Sequence, residues 1–195
     1  YSGLYEGSVC NILSRTWNET TMYDGNYVAL NLLGEGVCVG SRIGFVVKED
    51  HNGFCLVNGH SMKDKKSENT NFAFLTTIKL TEPLENSNKY GEEIARQATT
   101  IAGGKPMLQK LGDLIKGQRS TEDRLEKSYV KPTLTEYNPG DIGMAMPYRF
   151  VLNILEGLSK LDKIVPGVAD DSTLVYCPEI KFHGLRVLTD NYLES

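Results

Sequence analysis

Two hydrophobic periodicities run through this 195-residue chain, and they stay in separate blocks. Up to about Leu80 the apolar residues come in short runs cut by Gly, Asn and Asp. From Ser87 to Leu161 they recur at helical spacing, and after Thr173 short apolar runs return. A doubly wound sheet would alternate strand and helix regularly. Segregated blocks predict an α+β fold instead: a mixed or largely antiparallel sheet with helices packed on one side.

Within the first block, residues 1–43 are rich in Gly, Asn, Thr and Tyr and read as strands and turns. Clearer strands are expected at Phe45–Lys48 and Phe54–Val57. Asp50-His-Asn-Gly53 supplies the turn chemistry of a hairpin between them. Ser61–Thr70 reads as an exposed loop and Phe72–Leu80 as a strand. In the second block Tyr90, Ile94, Ala95, Ala98 and Ile101 share a helix face, which Gly103-Gly104 ends. Pro106 suits the first position of another helix bearing Met107, Leu108, Leu111, Leu114 and Ile115. Ser120-Thr-Glu-Asp123 has the form of a capping box. Pro147 opens the strongest helix, with Phe150, Val151, Ile154, Leu155, Leu158 and Leu161 on one face and Pro166-Gly167 as its stop. Thr173–Tyr176, Glu179–Phe182 and Leu185–Leu188 read as strands.

Composition excludes several function classes. A formal net charge of −4 and a pI near 5.5 lack the basic footprint of a nucleic-acid binder. No apolar run approaches the roughly 18 residues of a membrane span, and the first residues carry no secretory signal. A cytoplasmic location is therefore expected. Cys10, Cys38, Cys55 and Cys177 form no Cys-x-x-Cys pair and keep no zinc-ligand spacing with His51, His60 or His183. Buried thiols and no metal site are expected.

Two glycine motifs fail on inspection. In Gly34-Glu-Gly36-Val-Cys-Val-Gly40 the third glycine comes one residue late for a dinucleotide fingerprint, and a strand follows where a helix is needed. Ala102-Gly103-Gly104-Lys105 lacks the first glycine of a phosphate loop and has Pro106 where that loop needs Ser or Thr. A helix C-cap and turn accounts for it. No Gly-x-Ser-x-Gly elbow or Cys-His nucleophile spacing supports a hydrolase.

A longer ordered set of short motifs remains. It runs GFVVKE from Gly44, VNGHSM from Val57, TNFAF from Thr70, AGGKP from Ala102, QKLGDL from Gln109 and GQRST from Gly117. PGDI from Pro139, LDKIVPGV from Leu161 and PEIKF from Pro178 complete it. In order and spacing the set resembles the FAD-dependent dehydrogenases also called NAD(FAD)-utilising dehydrogenases, over roughly Gly44 to Ser195. The resemblance implies that residues 44–195 form the middle, substrate-side (cap) domain of an FAD-dependent oxidoreductase, with residues 1–43 a poorly matched β-rich segment. The partner would be the FAD-binding domain of the same parent chain, and the ligands FAD and a small-molecule substrate. The chain begins with Tyr and carries neither Gly-rich FAD motif of such proteins. A piece of a longer protein, inactive alone, is expected.

The same resemblance implies roles for particular residues. His60 would polarise a carbonyl or take a proton. Gly103, Gly104, Lys105 and Gln109 would lie beside the cofactor, Ala102 replacing a family glycine. Asn69, Asn71, Arg119 and Arg149 would contact substrate, the arginines as anion forks. The plain alternatives are a solvated histidine, a polar loop-to-strand junction, and a solvated helix face carrying Gln109 and Asp113 one turn apart. Glu179 and Lys181 have a plain reading too, as one exposed strand face. A self-sufficient binding or interaction module with no redox role is the rival reading of the whole chain.

Overall fold

The computed structural model describes residues 6–15, 29–31, 36–41, 45–60, 62, 64–65, 67–79, 83 and 87–181. The order of elements is largely the segregated one that the periodicities predict: six strands, then a helical stretch interrupted by two short strands, then a closing strand. The strands are β1 (Glu6–Arg15), β2 (Ala29–Asn31), β3 (Gly36–Ser41), β4 (Phe45–His51), β5 (Phe54–His60) and β6 (Thr70–Lys79). After them come α1 (Ser87–Ile101), β7 (Met107–Lys110), α2 (Leu111–Ile115), α3 (Glu122–Glu126), β8 (Asn138–Pro139), α4 (Ile142–Ala145), α5 (Tyr148–Leu161) and β9 (Leu174–Lys181). Seven strands form one sheet in the order β2-β3-β6-β1-β9-β7-β8, and β4 and β5 form a separate hairpin. Pairing is antiparallel except between β7 and β8. The fold is α+β.

Around β7 and β9 the sheet is covered on both faces, and strand alternation explains how. On β9, Val175 and Cys177 join a large cluster with α1, α2, α4 and α5, whereas Leu174 and Tyr176 join a second cluster with Val46, Val57, Leu125 and Val130. On β7, Met107 belongs to the first cluster and Leu108 to the second. The two long helices lie on the first face, and the hairpin and the 130–137 segment on the second. Phe150, Ile154, Leu158 and Leu161 of α5 are buried at helical spacing, each contributing about 1.5–3 kcal/mol relative to exposure. Helix α5 closes on β6 through Gly157, where a Cβ would fall 2.1 Å from Phe74 Cζ.

The expected hairpin is present, with Gly53 at φ 85° in its turn. Three expectations fail. The segment after Pro106 is not helical at its start: Met107–Lys110 pairs with Leu174–Cys177, and only Leu111–Ile115 coils. Met107 and Leu108 are each buried, on opposite faces of the sheet. A run of adjacent apolar residues does not distinguish that arrangement from a helix face. The two strands expected at 173–176 and 179–182 are one continuous β9. Glu179 is buried rather than on an exposed face. The expected strand at 185–188 lies outside the described residues. Cys55 and Cys177 are buried free thiols, and among the described residues no group of His, Cys, Asp and Glu is placed to hold a metal. Among the same residues, no helix is long and apolar enough to cross a membrane.

Candidate functional site

The residues singled out in the sequence gather in two places. The first is the open end of the hairpin. His60, the last residue of β5, pairs with Phe45 and is exposed. Two buried asparagines, Asn69 and Asn71, flank Thr70, the first residue of β6. Asn71 donates from Nδ2 to Phe45 O at 2.8 Å, and its Oδ1 is buried without a partner among the described residues. Gly59 sits over this amide; a Cβ there would contact Asn71 Nδ2 at 3.5 Å. Asn69 donates to Lys131 O at 2.6 Å, and Ser67 donates to Asn69 O. Two residues on, Thr133 Oγ1 accepts from Val46 N at 3.0 Å. The 131–133 segment thus ties the hairpin to β6. Lys65 places its ammonium 5.2 Å from the centre of the Phe45 ring.

The second place is the end of α1. Gly103 and Gly104 are exposed at φ 64° and 89°, conformations that suit glycine. Their amides are spent closing the helix: Gly103 N donates to Thr100 O and Gly104 N to Thr99 O at 2.8 Å. Lys105 is exposed. Asn138 Nδ2 donates to Ala102 O at 2.7 Å, joining the turn to β8. Arg119 is exposed and reaches Pro139 O at 3.2 Å, next along the same short strand. Arg149 stands apart, exposed on α5.

The two places are separated along the hairpin. Thr99, whose carbonyl accepts from Gly104, also holds Cys55 N through its hydroxyl at 3.0 Å. Cys55 and His60 are five residues apart on β5, about 17 Å at 3.3 Å per residue. His60 and the Gly103-Gly104 turn therefore do not meet around one atom.

Gln109 lies behind the second place, fully buried on β7. Its Nε2 donates to Gln118 O at 2.9 Å, and its Oε1 accepts from Ile142 N at 2.7 Å, the first amide of α4. Both ends of the amide are occupied inside the protein. The solvated helix face that pairs Gln109 with Asp113 is absent. Asp113, on α2, is also buried and accepts from Ser120 Oγ at 2.7 Å, Gln118 Nε2 at 2.8 Å and Arg124 Nη1 at 3.5 Å. Ser120 Oγ also accepts from Lys110 N at 2.9 Å. Its hydroxyl does not cap α3, whose N-cap is Thr121. Ser120, expected to cap α3, and Gln118, given no role from the sequence, are thus structural polar residues. The available signal was their recurrence in GQRST soon after QKLGDL.

The electrostatics outside these places are simple. Burial raises the Cys55 and Cys177 thiols and the Tyr176 phenol above their ordinary ranges. Asp50 and Glu136 raise the half-buried Lys48 ammonium by hydrogen bonding to it. Large apolar side chains are exposed on three helices that touch: Ile101 on α1, Met144 on α4, and Tyr148 and Leu152 on α5.

A family model described as FAD-dependent protein, C-terminal domain-like, matches residues 37–181, about three-quarters of the chain. No curated protein matches it.

Proposed function

The chain belongs to the FAD-dependent protein, C-terminal domain-like family, and on that premise we propose that it is the substrate-side domain of an FAD-dependent oxidoreductase. In this reading it covers the flavin, shapes the substrate site and is inactive without the FAD-binding domain of the same parent chain. The observation that carries the proposal is the family match across residues 37–181.

The fit of these residues to FAD is divided. A pyrophosphate calls for free backbone amides at the positive end of a helix. The Ala102–Pro106 turn is the opposite: a helix C-terminus whose glycine amides are already used. The turn does not fit that half of the cofactor, and the FAD-binding domain would hold it. Gly103 and Gly104 carry no side chain and are exposed, which suits close approach of a flat ring beside Lys105. When bound, FAD supplies the electron-transfer chemistry.

The chain's own residues would orient the substrate and exclude water. His60 is an exposed titratable group at the hairpin's open end and would handle a proton or polarise a carbonyl there. Asn71 and Asn69 position it by fixing the strands beneath. Gln109 is a positioning residue as well: it fixes the loop carbonyl of Gln118 and the start of α4 behind the glycine turn. Arg119 and Arg149, both exposed, are the groups available to an anionic substrate. The apolar residues on α1, α4 and α5 are the surface on which a covering domain would sit, because exposed apolar side chains favour burial against a partner.

Calorimetric titration of FAD into this chain and into the full-length parent tests the reading. Binding by the parent and none by the chain is the expected result. Micromolar or tighter binding by the chain alone would mean that residues 1–195 hold a complete cofactor site, overturning the division between two domains. Binding by neither would remove the flavoprotein reading and leave the interaction module.

A further inference from the structure

We draw no further inference here: the strongest candidate, the exposed apolar patch of Ile101, Met144, Tyr148 and Leu152 on α1, α4 and α5, already serves the proposed domain interface, and nothing in the structure shows what else covers it.

Discussion

Replacing Gln109 with leucine separates a structural amide from a cofactor ligand. The substitution keeps the side chain's approximate volume and deletes two buried hydrogen bonds, to Gln118 O and from Ile142 N. Each is worth about 1 kcal/mol net. Ile142 is fully buried, so its amide is left without water or protein, at a further cost of about 1–3 kcal/mol. Gln118 is only half-buried, so its carbonyl recovers some solvation. The added apolar burial returns a fraction of the loss. A net destabilisation of about 2–4 kcal/mol follows, or roughly 4–16 °C in Tm for a chain of this size. Urea unfolding followed by far-UV circular dichroism reads it directly, with Lys105→Ala as an exposed control expected within about 0.5 kcal/mol of the parent sequence. A Gln109→Leu protein as stable as the unsubstituted one would refute the reasoning. In the full-length parent that the proposed function implies, an altered flavin absorbance spectrum at unchanged stability would instead make Gln109 a cofactor ligand.

Further outcomes follow from packing and burial. Gly157→Ala forces a methyl to within 2.1 Å of Phe74 Cζ. Overpacking of about 1–3 kcal/mol should outweigh a helix gain of at most about 1 kcal/mol, and Phe74→Leu should suppress the defect in a double-mutant cycle. Asp113→Ala strands Ser120 and Gln118 and should cost about 2–4 kcal/mol in the same urea assay, whereas Arg124→Ala, removing a partly exposed partner, should cost less than about 1 kcal/mol. Cys55 and Cys177 should resist iodoacetamide in the native protein and react once it is unfolded, as peptide mapping by mass spectrometry would read. Labelling at the native rate of an exposed thiol would contradict their burial. The same thiols set an alkaline limit. Their folded pKa values lie above the ordinary 9.0, so their contribution is intact below pH 9 and declines above it, as the unfolded chain ionises first. For Cys177 the slope approaches about 1.4 kcal/mol per pH unit, and Cys177→Ala should remove it.

Local chemistry that needs one element only was legible in the sequence. The hairpin at 45–60 followed from its turn residues, and α5 from an apolar stripe of about four turns opened by Pro147. The end of α1 followed from two glycines whose left-handed conformations the structure bears out. What escaped was decided between elements. Met107 and Leu108 look like one helix face until β9 lies alongside and buries both. Gln109 and Asp113 look solvated because their polar partners, Gln118 and Ser120, come from the next loop. The two groups of candidate residues could not be separated by sequence either: the distance between His60 and Gly104 depends on which end of β5 rests against Thr99.

The short strand β8 sets the character of one margin of the sheet among the described residues. It is the last strand of the sheet, and a last strand is where a second chain can add by hydrogen bonding. Asn138 N and Gly140 N are both directed inward, to Pro106 O and Leu108 O. Between them Pro139 has no N–H to offer, and its carbonyl is taken by Arg119. An arriving strand finds no backbone donor at Pro139, and the carbonyl there already accepts from Arg119. At this margin strand addition gains little from main-chain hydrogen bonding.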